Sequence, residues 1–175
     1  MRGSKLLPNN TAFEILTRSP EETRSLGAAL GKHAHAGAVI LLTGELGSGK
    51  TCLTQGILAG LGSKESARSP TFVLATQYPG RLTLYHLDLY RLERVTEMED
   101  IGLDEYLFGD GVCVVEWAEK AAALFPGERL EVRIQRLGES ERRLVLSAHG
   151  PRHAALLKAV RDAVEAHGRT PLQGD

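Results

Sequence analysis

Residues 44–51 read Gly-Glu-Leu-Gly-Ser-Gly-Lys-Thr, directly after the apolar run Ala38-Val39-Ile40-Leu41-Leu42. The fixed positions of the phosphate-binding pattern G-x-x-x-x-G-K-[ST] fall on Gly44, Gly49, Lys50 and Thr51, with Glu45, Leu46, Gly47 and Ser48 completing the loop. Glycines let such a backbone curl until successive N–H groups point at phosphate oxygens. A helix that follows adds the partial positive charge of its N-terminus. Lys50 is then expected to reach the β- and γ-phosphates of a nucleotide, and the Thr51 hydroxyl to ligate Mg²⁺. Cys52 comes next, on the first turn of the expected helix. A helix N-terminus can lower a thiol pKa and make it redox-active; packing is the plainer role for this residue.

A phosphate loop also needs an acidic partner near the metal, usually at the end of a neighbouring strand. Asp88, in Leu82-Thr83-Leu84-Tyr85-His86-Leu87-Asp88, and Glu116, after Val112-Cys113-Val114-Val115, both follow strand-like apolar patterns. Spacing alone does not decide which binds metal directly and which acts through water. Thr71 follows the rigid Ser69-Pro70 pair, where a switch-like loop could meet a γ-phosphate. His86 reads as a polar residue on a half-buried strand.

The elements that must position these groups follow from periodicity. Residues 11–19 alternate apolar and polar positions at Phe13 and Ile15 and predict a short strand. Ser19, Pro20 and Glu22 form a helix start with a capping box, and the helix is expected to run to about Ala36 and end near Gly37. Residues 38–43 suit a strand buried on both faces, and Lys50 to about Gly60 reads as a helix. Residues 71–78 and 81–90 flank a Tyr78-Pro79-Gly80-Arg81 turn and predict a hairpin. Residues 112–117 predict a further buried strand and 118–125 a helix. Residues 130–137 and 142–148 predict a second hairpin around the turn 138–141. Leu156, Leu157, Val160 and Val164 recur at helical spacing from Arg152 to Ala166, with mixed charges on the opposite face. The pattern is α/β: a P-loop NTPase-like three-layer fold whose mixed central sheet has a parallel core and antiparallel edge hairpins. Strand order does not follow from it. Residues 1–10 read as an unstructured lead-in, 11–150 as the nucleotide-binding domain and 151–175 as a helix and tail.

Composition narrows the function. The 175 residues carry a net charge of −1, with 42% hydrophobic and 25% charged residues, as in an ordinary globular domain. The pI of about 6.6 argues against a strongly basic nucleic-acid binder. Neither Cys52 nor Cys113 has the spacing of a metal knuckle, and reduced thiols point to the cytoplasm. No run is long and apolar enough for a membrane span. Asn9 and Asn10, the only asparagines, lie upstream of the loop, so the guanine-reading N-K-x-D element of a GTPase is absent. No ABC-type signature and no arginine-rich kinase lid is evident. From Glu93 to Glu119 nine acids face one base, Arg94, a stretch that repels nucleic acid and suits either a basic protein partner or plain solvation.

Taken in order, Gly44–Thr51, Ser69-Pro70-Thr71-Phe72, Tyr85-His86-Leu87-Asp88-Leu89-Tyr90-Arg91, Gly102–Leu107 and Val115-Glu116-Trp117-Ala118-Glu119-Lys120 closely resemble the bacterial TsaE (YjeE) family. The resemblance runs from the first strand to the second hairpin and leaves the helix after His149 unexplained. It implies an ATPase that supports formation of threonylcarbamoyladenosine beside the tRNA anticodon. The family works with TsaB and TsaD, of which TsaD carries the transfer chemistry. It implies ATP and Mg²⁺ as ligands, a nucleotide contact from the loop through Cys52 and from Trp117, a metal site at Thr51, Asp88 and Glu116, a switch at Thr71, and a nucleotide contact near Glu22. No direct sequence-specific nucleic-acid binding and no membrane association is implied. Two other readings use the same loop: a small-molecule kinase, and a nucleotide-gated binding module whose hydrolysis is incidental. No arginine finger is identifiable, so slow unaided turnover is expected.

Overall fold

Strand β3 (Val39–Thr43) is buried along nearly its whole length, and β6 (Val112–Glu116) along all of it. Both lie inside a mixed sheet of a computed structural model that describes residues 5–6, 11–68 and 75–166. The other strands are β1 (Lys5–Leu6), β2 (Ala12–Thr17), β4 (Ala75–Tyr78), β5 (Leu84–Asp88), β7 (Arg129–Arg136) and β8 (Arg142–His149). Among the described residues the sheet order is β1-β2-β8-β7-β3-β6-β5-β4. The four central strands β7, β3, β6 and β5 run parallel, and the outer pairings are antiparallel. The sheet thus has the expected parallel core with hairpins β4–β5 and β7–β8 toward its edges. Within the stretch read as a lead-in, Lys5 pairs with Glu14 and Leu6 with Phe13.

Alternation along the central strands divides the core into two layers. Ile40, Leu42, Val114, Leu130 and Val132 face helices α1 (Pro20–His33), α2 (Lys50–Gly60) and α5 (Pro151–Ala166). Val39, Leu41, Cys113 and Val115 face the opposite side, against Met98 of α3 (Glu97–Asp100), Leu103 and Leu107 of α4 (Leu103–Leu107), and Phe125. Helix α5 carries Leu156, Leu157, Val160 and Val164 into the first layer, so the C-terminal helix belongs to the same core as the loop-bearing strand. No described helix is long and apolar enough to cross a membrane.

Helix α1 starts where its sequence says. Ser19 Oγ accepts from Glu22 N at 3.1 Å, and the Glu22 carboxylate accepts from Arg18 N at 2.6 Å. Such a cap contributes about 1 kcal/mol. The helix stops at His33, short of the expected Ala36, because Arg81 from the β4–β5 turn donates to the carbonyls of Gly31, Lys32 and Ala34. Helices α1 and α2 meet backbone to backbone. A Cβ on Gly27 would lie 2.3 Å from Leu53 O, and one on Gly56 would lie 2.2 Å from Arg24 O. Residues 118–124, expected as an α-helix, form 3₁₀ turns with a break at Ala121. The two buried residues of that segment, Ala118 and Ala121, both pack into the second core layer.

Candidate functional site

The phosphate loop leaves β3 at Thr43 and enters α2 at Lys50. Gly44 tucks it against the neighbouring strand: a Cβ there would sit 2.5 Å from Ile134 O and 2.6 Å from Ser48 Oγ, with φ at +153. Gly49 takes φ of +112 at the N-cap of α2, and no side chain caps that helix. The loop's rear is held by a residue more distant in sequence. Arg142, at the start of β8, donates from Nε to Ser48 O at 2.8 Å and from Nη2 to Gly47 O at 3.3 Å. Its Nη1 holds its own hairpin turn through Gly138 O and Glu141 O. Leu46, at the loop's tip, is exposed, and Ser48 is buried.

Lys50 is almost entirely buried, and its ammonium folds back over the loop. Nζ donates to Gly44 O at 2.5 Å and Glu45 O at 2.9 Å, with Ser48 Oγ at 3.4 Å. The same Nζ lies 3.9 Å from the centroid of the Trp117 ring, within cation–π range. Burial pulls the Lys50 pKa below the ordinary lysine value, while Glu116, Glu119, Asp88 and Glu45 oppose that shift. Trp117 holds this place with φ of 59, the one left-handed non-glycine residue described. Tyr90 flanks its ring at 5.1 Å, and Lys120 donates to Tyr90 O.

Parallel pairing brings the two expected carboxylates together. Asp88 ends β5 directly opposite Glu116 at the end of β6, and Glu116 is also in register with Leu42 of β3. Each carboxylate therefore sits at the sheet edge from which the phosphate loop springs. The Thr51 hydroxyl donates to Glu116, at 2.9 Å to Oε1 and 3.1 Å to Oε2. Asp88 Oδ1 accepts from Tyr90 N at 3.0 Å, which ties its chain to the turn beneath Trp117. Glu116 is buried, and its Oε2 lies 2.5 Å from Nε2 of the fully buried His86.

The structure brings Lys50, Thr51, Glu116 and Trp117 into one cluster, with Asp88 on the adjoining strand. Glu22 lies at the start of α1, its carboxylate engaged by Arg18 N. Cys52 donates to Pro20 O at 3.3 Å with Arg24 Nη1 3.7 Å from its sulfur; burial raises the thiol pKa, the setting of a packing residue. Thr71 lies outside the described residues. Four residues that the sequence reading did not place at the site lie against it: His86, Tyr90, Lys120 and Arg142. His86 had a signal, since it lies two residues before Asp88 and so on the same face of β5. Tyr90 and Lys120 also lay beside recognised positions. Arg142 had none, being far from the loop in sequence.

A profile described as "Threonylcarbamoyl adenosine biosynthesis protein TsaE" matches residues 17–144. The chain is 45% identical over 141 residues to the tRNA threonylcarbamoyladenosine biosynthesis protein TsaE of Bacillus subtilis, spanning 80% of this chain and 88% of that protein. The protein of the same name from Treponema pallidum is 39% identical, over 77% of this chain and all of its own length. A crystal structure of Bacillus subtilis YdiB superposes with a TM-score of 0.74 at 35% identity, covering 97% of this chain and 100% of that one. The loop, the strand-end carboxylates and the Glu116-Trp117 pair lie inside the matched span, and the chain belongs to the TsaE family of threonylcarbamoyl adenosine biosynthesis proteins.

Proposed function

We propose that this chain is a Mg²⁺-dependent ATPase of the cytoplasm that serves threonylcarbamoyladenosine modification of tRNA together with TsaB and TsaD. The observation that carries the reading is the meeting of the Thr51 hydroxyl with the Glu116 carboxylate at 2.9 Å, beside the Lys50 ammonium. The name shared by the relatives supplies the tRNA pathway.

The donor set suits Mg²⁺. Thr51, Glu116 and Asp88 offer hard oxygens, and among the described residues no group of three or more His, Cys, Asp or Glu forms a cage. Mg²⁺ is commonly held in this way, by one or two side chains with substrate phosphates and water completing the shell. Thr51 and Glu116 would hold it, with Asp88 alongside, and when bound it would neutralise charge on the phosphate oxygens. Lys50 has donors now spent on Gly44 O and Glu45 O that can be redirected to phosphate. The uncapped N–H groups of α2 and those of the loop add fixed donors, at no reorganisation cost when charge builds on the transferring group. Glu116 or Asp88 orients the attacking water, and Thr71 senses the γ-phosphate and is released with it.

The test is size-exclusion co-elution with purified TsaB and TsaD, with and without ATP and Mg²⁺, with phosphate release read from the same fractions. ATP-dependent co-elution with increased hydrolysis is expected. Absence of association under every nucleotide condition refutes the partner-coupled reading, and labelled product other than phosphate in a metabolite screen would replace it with a kinase.

A further inference from the structure

The Glu116 carboxylate has a geometric problem that Thr51 does not solve. One hydroxyl lies nearly equidistant from both of its oxygens, at 2.9 Å and 3.1 Å. Rotation about the terminal bond of a glutamate is soft and roughly two-fold, so a hydroxyl placed in this way does not fix the carboxylate plane. His86 breaks the symmetry. Its Nε2 lies 2.5 Å from Oε2 alone, at hydrogen-bond distance.

Packing holds the imidazole, since its buried Nδ1 has no hydrogen-bond partner among the described residues. It is fully buried, on a strand whose pairing sets His86 opposite Val114, one pleat before Asp88 and Glu116 face each other. The Tyr78 ring lies alongside it at 6.5 Å. A core histidine needs only some partner; this one is matched to one oxygen of the carboxylate that also takes the Thr51 hydroxyl. From this we infer that His86 is a positioning residue, which pins Oε2 so that Oε1 is presented toward Thr51 and the metal side. The inference rests on the ATPase reading of the site.

Replacing His86 by Leu removes the donor while keeping an apolar filler. Asn keeps a polar group but places no donor where Nε2 stood, and Gln restores one there. Groups that orient metal ligands typically change activity or metal affinity by about 10–100-fold. The expected result for His86→Leu and His86→Asn is therefore a fall in kcat of about 10–100-fold, with KM for ATP within about threefold. Mn²⁺ affinity of the protein loaded with a non-hydrolysable ATP analogue, read by electron paramagnetic resonance, should weaken by at least about tenfold. His86→Gln should recover most of both. In a Glu116→Gln background the His86 substitutions should change neither quantity further.

Equal losses in both backgrounds would overturn the inference, as would wild-type kcat and Mn²⁺ affinity in a folded His86→Asn protein, or a Gln variant no better than Leu. If Glu116→Gln alone leaves kcat and Mn²⁺ affinity at wild-type values, the failure lies in the ATPase reading of Glu116, and the positioning role falls with it.

Discussion

Helix α2 carries Lys50 and Thr51 on its first turn, and its seat on α1 admits no side chain at Gly56. A Cβ there would lie 2.2 Å from Arg24 O and 2.9 Å from both the carbonyl carbon and Cα of Arg24. Ordinary contact begins at 3.4 Å, so Gly56→Ala must part the two helices or tilt one of them. The obstacle is backbone, which cannot rotate aside as a side-chain tip can. Overpacking of this kind costs about 1–3 kcal/mol, and a backbone obstacle belongs at the upper end. Alanine returns about 1 kcal/mol through helix propensity. The net loss is about 2 kcal/mol, or a Tm about 4–8 °C lower for a chain of this size. Thermal and urea unfolding followed by circular dichroism measure it directly. Gly127→Ala is the control, since nothing lies within 4 Å of its added Cβ, and it should change stability by less than about 0.5 kcal/mol. A Gly56→Ala protein as stable as the wild type, or more so, would refute the reasoning, because propensity would then outweigh the close approach.

Lys50→Ala should lower ATP turnover at least about 100-fold while the far-ultraviolet spectrum stays that of the wild type, and near-normal turnover would end the phosphate-loop mechanism. Glu116→Ala should reduce kcat far more than it reduces affinity for ATP, measured by calorimetry beside steady-state kinetics; unchanged turnover would remove Glu116 from the reaction. Acid should loosen the seat of α5. His153 accepts from Val39 N at 3.1 Å, and burial, with His35 and Arg152 nearby, lowers its pKa to about 4. Its folded pKa lies below its unfolded one, so stability is full above about pH 6.5 and declines as pH falls toward 4, by at most about 3 kcal/mol. His153→Gln, which can still accept from Val39 N, should flatten urea midpoints measured between pH 7 and 4.5, and an unchanged slope would show that the histidine does not titrate with unfolding.

The parts of the site that a sequence can carry are those encoded within a few residues. The phosphate loop is contiguous, with its glycines, lysine and threonine at fixed spacing behind an apolar strand, so its place between β3 and α2 was legible. Asp88 and Glu116 were legible as strand ends, because apolar runs before each announced buried strands. That they face one another was not, since it depends on β5 and β6 being parallel neighbours in one register. His86 needed the same register before its partner became visible. Arg142 shows the limit most clearly: its contact with Ser48 exists only because β7 lies beside β3. The 3₁₀ turns of residues 118–124 had helix-forming composition, and no local signal announced the break at Ala121.

The strand order has a consequence for how the chain reaches its native state. β2 and β3 are early in the sequence, yet β8 and β7 stand between them. A ribosome that has delivered only the first hundred residues has delivered the pairs β1–β2 and β4–β5, but β3 without either of its neighbours. Helices α1 and α2 can join locally, but β3 is flanked by β6 and β7, which arrive later. Such non-local pairing is intrinsically slow, because loop-closure entropy is lost before the contacts form. The nascent chain therefore leaves the apolar run 39–42 without its strand neighbours until β6 and β7 have been made, an interval in which aggregation and chaperone capture compete with folding.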